Sequence, residues 1–189
     1  MFRLNESDQQ LLLKIARDSV GLYLDGQLPR VPRVSCGLLA EPHSVFVSIH
    51  KGADLRGCIG NIHPVGSLLQ TTSECAVSAA VGDPRFMPVT KEELPYLTFE
   101  ISVLSPMEKI VDVDSIEIGE HGLLINRGNA RGLLLPQVAT AYGWTRERFL
   151  TETCRKAGLP PQAWKDGATI FRFSAHVFGE NPIHHNATS

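Results

Sequence analysis

The sequence predicts an α+β fold with mainly antiparallel sheet, on three observations. Strand-like alternation is clean in two places. In YLTFEISVLS, Leu97, Phe99, Ile101 and Val103 point one way while Thr98, Glu100 and Ser102 point the other, and ATIFRFSAHVF near the end alternates again. Turn residues join other apolar runs into hairpins: Glu41-Pro42-His43-Ser44 between RVSCGLLA and VFVSIHK, and Arg127-Gly128-Asn129-Ala130 inside GLLINRGNARGLLLP. Helical stretches lie among these without a regular strand–helix–strand rhythm, which argues against a parallel sheet.

Taken in order, the first element is a helix. Ser7 with Gln10 resembles a capping box, and Leu11, Leu12, Ile15, Ala16, Val20 and Tyr23 recur at helical spacing until Gly26. Pro29 and Pro32 then force an extended segment. After the first hairpin, LRGCIG over 55–60 reads as a third extended piece. SLLQTTSECAVSAAV over 67–81 has no Gly or Pro and reads as a helix with Cys75 buried among alanines; Gly82-Asp83-Pro84 breaks it. Thr90 with Glu93 opens a short helix before Pro95. Two more helices are expected over 137–142 and 145–157, the second stopped by Gly158 and Pro160. A polar tail occupies 181–189.

A chain of 189 residues, 43% apolar and 20% charged, has the composition of an ordinary globular protein. Lys plus Arg number 18 against 20 Asp plus Glu, and no cationic run appears, so a nucleic-acid partner is disfavoured. No apolar run approaches the roughly 18 residues that span a bilayer, and the N-terminus lacks a signal-peptide pattern. The expectation is a cytoplasmic protein whose four cysteines, Cys36, Cys58, Cys75 and Cys154, are free thiols. None forms a CxxC pair, and Cys58, His63 and Cys75 match no zinc spacing, so no metal site is expected. Walker A, GxGxxG, GxSxG and HExxH patterns are all absent.

The stretch LRGCIGNIHP raises the sharpest chemical question. Strict alternation puts Arg56 and Cys58 on one face, about 7 Å apart along the backbone, where a guanidinium could stabilise a thiolate and His63 could act as a base. The packing alternative is that Gly57 and Gly60 permit a close approach beneath a helix while Cys58 fills a small core space. Residue statistics favour packing. In GDPRFMPVT, Asp83, Arg85 and Phe86 either line a cleft or close a rigid loop, with Asp83 capping a turn, Arg85 pairing locally and Phe86 anchored below. Glu100, on the polar side of its strand, meets either solvent or a cation such as Arg56 or Arg85. Gln137 after Pro136, and His121 before Gly122, are ambiguous in the same way.

Read together, LRGCIG, DPRF followed by PVT and EELP, EISVLS, HGLLI, RGLLLPQVA, GW and KAGLP resemble the AMMECR domain family, specifically the AmmeMemoRadiSam system protein A group, over about residues 8–180. The resemblance implies a single AMMECR-type domain over 1–189, built as two unequal, intimately packed lobes with mainly antiparallel sheets flanked by helices and a cleft between them. It implies a site comprising Leu55, Arg56, Gly57, Cys58, Ile59 and Gly60, with Asp83, Pro84, Arg85, Phe86 and Glu100. Within it Cys58 would be nucleophile or redox thiol, Arg56 a thiolate stabiliser or anion anchor, and Glu100 an acid, base or orienting group. Implied partners are a Memo-like protein and a radical SAM protein in a shared modification pathway; the alternative is a binding or adaptor module without catalysis. The resemblance specifies no cofactor, substrate or oligomeric state.

Overall fold

The computed structural model describes residues 4–180; the polar tail, with His184 and His185, lies outside the described residues. Four α-helices accompany a seven-stranded sheet in the order β2-β1-β3-β7-β5-β6, with β4 also paired to β7. The elements are α1 (Glu6–Leu24), β1 (Val45–Lys51), β2 (Asp54–Asn61), α2 (Leu68–Val81), β3 (Leu97–Leu104), β4 (Glu108–Ile110), β5 (His121–Arg127), β6 (Ala130–Leu134), α3 (Pro136–Ala141), α4 (Arg146–Lys156) and β7 (Thr169–Gly179). The fold is α+β. Two compact units divide the chain: residues 4–104 with 176–180, and residues 105–175, so that β7 contributes to both.

In the first unit, the apolar positions of the alternating strands form one side of the sheet. Val45, Val47 and Ile49 of β1 and Phe99 and Ile101 of β3 pack in one core with Leu12, Ala16 and Val20 of α1 and Leu69, Ala76 and Ala79 of α2. Small residues late in α2 let the helix lie close, and a buried hydrogen bond between Ser19 and Ser73 (2.7 Å) ties α1 to α2. The residue that follows β7 is fastened here too. Glu180 accepts hydrogen bonds from the Phe99 N–H (2.9 Å) and from Arg17 (2.6 and 2.7 Å), whose guanidinium also lies over the Phe99 ring.

The second unit packs Leu123, Ile125, Leu134 and Ile170 against Phe149, Leu150 and Cys154 of α4. The hairpin expected around Gly128 is β5–β6, with Arg127 paired to Ala130 and Gly128 at positive φ.

Three local expectations are corrected. RVSCGLLA forms no strand: it is an exposed crossing that ends in a 3-10 turn at 38–40, with Gly37 at positive φ and only Leu39 buried. The first hairpin instead joins β1 directly to β2 through Gly52-Ala53, with Lys51 opposite Asp54 and Gly52 supplying the positive φ that a tight hairpin turn needs. Finally, α1 begins earlier than Ser7, because the Asn5 side chain accepts from the Asp8 N–H (2.8 Å) and takes the cap position.

Candidate functional site

β2 lies at the edge of the sheet, with β1 as its only partner strand among the described residues. Ser48 of β1 stands opposite Cys58 of β2 on one side and opposite Glu100 of β3 on the other. The three side chains therefore form a row across three strands, on the face turned away from α1 and α2. Cys58 directs its backbone N–H and C=O away from β1, so Ser48 and Cys58 form a non-hydrogen-bonded pair, the kind in which side chains approach most closely. The Ser48 hydroxyl accordingly donates to the Cys58 sulfur at 3.2 Å.

The outward backbone of Cys58 is held by the loop after α2. Asp83 accepts from the Cys58 N–H (2.9 Å), and Arg85 donates to the Cys58 carbonyl (3.2 Å). Asp83 also accepts from the Arg85 backbone N–H and makes a bidentate pair with its guanidinium (2.9 and 2.7 Å). Asp83 is only 4% exposed, and the guanidinium beside it, with the two backbone N–H donors, holds its carboxyl well below the usual carboxylate range despite burial. Arg85 in turn lies over the ring of the half-buried Phe86.

Arg56 is directed elsewhere. The β1–β2 register shifts between Ile49 and His50 and leaves Arg56 as the extra residue of a bulge. The bulge resets the alternation: Leu55 pairs with His50 on the Cys58 side, and Arg56 reaches over the sheet edge. Its guanidinium donates to the carbonyls of Met87 (2.6 Å) and Pro88 (3.2 Å) and to Glu93 (3.0 and 3.3 Å). The Arg56 guanidinium, with help from the Thr90 N–H and Lys51, holds the Glu93 carboxyl down to about 2.

The glycines serve packing. A Cβ on buried Gly57 would sit 2.0 Å from the Ala79 carbonyl oxygen of α2, and one on Gly60 would sit 2.2 Å from the Phe46 ring. The close approach beneath a helix is thus a property of Gly57. Cys58 does not fill the core: it is half-buried, on the opposite face, and Cys75 is the cysteine packed under the sheet, its thiol pushed up to about 12 by burial. Ile59 points to the core side and packs against it.

The structure therefore brings Cys58, Asp83 and Arg85 together and aligns Cys58 with Glu100 through Ser48. It gives Arg56 to Glu93 and Arg85 to Asp83, so neither arginine partners Glu100, whose carboxylate makes no hydrogen bond or ion pair among the described residues. His63 is exposed beyond the end of β2, and the His121 ring nitrogen accepts from the Glu117 N–H. Gln137 buries its side-chain oxygen without a hydrogen-bond partner among the described residues. No cluster of three or more His, Cys, Asp or Glu side chains suited to a metal occurs among the described residues. Sequence reasoning missed Ser48 and read Glu93 only as the capping partner of Thr90, not as the partner of Arg56. Ser48 sits at a polar position of VFVSIHK, but only strand register reveals its two neighbours.

Comparison with known proteins bears on the same motifs. The AMMECR1 family model matches residues 13–178. The chain belongs to the AMMECR1 family. A relative from Methanothermobacter thermautotrophicus, designated only Protein, is 44% identical over 94% of this chain and 97% of its own length. Protein PF1979 of Pyrococcus furiosus is 40% identical over 95% and 91%. The crystal structure of Uncharacterized Protein PH0010 from Pyrococcus horikoshii superposes with a TM-score of 0.88 at 38% identity, covering 95% of each chain. This AMMECR1 chain thus shares its fold with a solved family member. No helix among its described residues is long and apolar enough to cross a membrane.

Proposed function

We propose that the row Cys58–Ser48–Glu100 is the working surface of this AMMECR1-family protein and that Cys58 is its chemically active group. The observation that carries this reading is the way Cys58 is held. Its N–H, its C=O and its sulfur each have a dedicated partner, yet the residue stays half-buried on the side opposite the helices. Both backbone groups are met by side chains of a neighbouring loop rather than by a sheet ladder, which filling space in the core would not call for. Strands lie about 4.8 Å apart, so Cys58 and Glu100 are separated by roughly 10 Å at the backbone. A ligand lying along the row meets a nucleophilic sulfur at one end and a carboxylate acid or base at the other. Arg56, Gly57, Gly60, Asp83 and Arg85 then build the surface rather than react on it.

The family resemblance supports placing this surface in a modification pathway shared with a Memo-like protein and a radical SAM protein. The motif stretches occur on both units, which supports treating residues 1–189 as one AMMECR-type domain. Free thiols at all four cysteines support a cytoplasmic location.

Alkylation of the folded full chain with iodoacetamide, read by peptide mass spectrometry, tests the thiol. Cys58 is expected to react in the folded protein while Cys75 and Cys154 react only after unfolding. A Cys58 as inert as Cys75 until unfolding sinks the reading. A non-catalytic recognition role has its own support in the exposed Met87 (80%) and Tyr96 (72%) flanking the Arg56–Glu93 pair. Under that alternative, Cys58→Ser leaves binding to a Memo-like partner unchanged while Met87→Asp abolishes it.

A further inference from the structure

A cavity of the first unit lies away from Cys58, between α2 and the proline-containing segment that follows α1. It measures about 780 Å³, within the range of small-ligand sites. One wall is a stripe along α2, where Ser67, Gln70, Glu74, Val77 and Ser78 recur at helical spacing. The opposite wall is the extended segment with Pro29, Val31, Pro32, Arg33 and Val34, and Tyr23 of α1 closes one side. Pro29 and Pro32 fix their own φ and bias the residues before them to extended conformations, so this wall needs little ordering when a ligand arrives.

The charges in the cavity are informative. Arg33 on one wall and Glu74 on the other are both exposed, and neither takes part in a hydrogen bond or ion pair among the described residues, including with each other. Most of the charged side chains around the Cys58 edge are paired: Arg56 and Lys51 with Glu93, and Arg85 with Asp83. Two unpaired opposite charges that line one groove together with apolar side chains complement a ligand that carries its own opposite charges on an apolar body.

We infer that this groove binds a short zwitterionic peptide, its ammonium group at Glu74, its carboxylate at Arg33, and its apolar side chains against Tyr23, Val31, Val34 and Val77. Ser67, Gln70 and Ser78 supply donors and acceptors for the peptide's backbone amides, which would otherwise be desolvated without partners. Arg33 suits a carboxylate because its planar fork binds both oxygens.

The inference is tested with the full chain, isotopically labelled, by NMR titration with the dipeptide Leu-Phe, the tripeptide Ala-Leu-Phe, and N-acetyl-Leu-Phe-amide, which keeps the apolar body and removes both charges. Saturable shifts are expected at Gln70, Glu74, Val77, Val31 and Val34 with at least one free peptide. The blocked peptide is expected to bind at least about tenfold more weakly, in line with loss of charge-assisted hydrogen bonds. Arg33→Ala and Glu74→Gln, both at exposed positions, should each weaken the free peptide about tenfold and leave the blocked peptide unchanged. Equal binding of free and blocked peptides, shifts that map elsewhere, or no saturation at about 10 mM, weaker than any useful affinity on the usual scale, overturns it.

Discussion

The buried carboxylate of Asp83 accepts a hydrogen bond from the backbone N–H of Cys58 while gripping Arg85, which returns a hydrogen bond to the carbonyl of the same cysteine. A side-chain ion pair thus occupies both backbone groups of one residue on an edge strand. Removing either member leaves the other without its counter-charge, and Asp83 is the deeply buried one.

Asp83→Asn is therefore expected to destabilise the fold by about 3 kcal/mol, the low end of the cost of breaking a buried pair from one side, because the Arg85 side chain is more than half exposed. Arg85→Lys should cost less, because an ammonium can pair with Asp83 but cannot also span to the Cys58 carbonyl with a planar fork. Urea unfolding of the three proteins measures both. A neutral Asp83→Asn would show that the clamp contributes nothing to stability.

Acid should act through the same loop. Glu93 ordinarily titrates near 4.5 and is held down to about 2 in the folded state by Arg56, and Asp83 is also depressed, chiefly by Arg85. A folded value below the unfolded one means that the stabilisation is complete above about pH 4.5 and is lost as pH falls towards 2. Thermal unfolding followed from pH 5 to pH 2 should show the melting temperature dropping across that window. Glu93→Gln should flatten part of the drop and cost on the order of 1 kcal/mol at neutral pH, since the pair is partly screened.

The two glycines of the motif should differ in how they fail. At Gly57 an added methyl meets the backbone carbonyl of Ala79, which can move only with α2, whereas at Gly60 it meets the Phe46 side chain. Gly57→Ala should cost about 2 kcal/mol or more by overpacking. Gly60→Ala should be substantially recovered in the double variant Gly60→Ala/Phe46→Ala, read as a coupling energy in a double-mutant cycle. Absence of coupling would contradict the ring's position over Gly60.

Ser48 offers a further check. Ser48→Ala removes the only hydrogen bond to the Cys58 sulfur among the described residues without opening a cavity larger than a hydroxyl. The alkylation rate of Cys58 in the folded protein should change at least about twofold while the unfolding free energy moves by no more than about 1 kcal/mol, the worth of one hydrogen bond. A Cys58 rate equal to that of the parent protein would separate Ser48 from the thiol's behaviour.

Much of this architecture is legible in the residues. The alternation of Leu97 to Val103 predicts β3, and the small residues ending at Val81 predict a helix that lies close to its neighbour. Local signals failed where a tertiary partner decides. RVSCGLLA has strand-like composition but no neighbour to pair with, and Gly52 is a single-residue signal for the true hairpin. At the site, the motif residues are visible as a group, yet their roles depend on one bulge. Strict alternation places Arg56 beside Cys58, and one unpaired residue in β2 sends the guanidinium to Glu93 instead. Pairings such as Arg56 with Glu93, or Ser48 with both Cys58 and Glu100, join residues ten or more positions apart and leave no periodic trace.

The Asp83–Arg85 clamp has a consequence beyond holding Cys58. An edge strand offers its unpaired amides as a template for another chain, and β2 would offer them beside a thiol. With the donor and acceptor of Cys58 already taken by side chains, an incoming strand finds no continuous ladder to extend. Variants that loosen the loop at Asp83 should therefore show their damage first as aggregation of the folded protein, before any loss of helix or sheet is measurable.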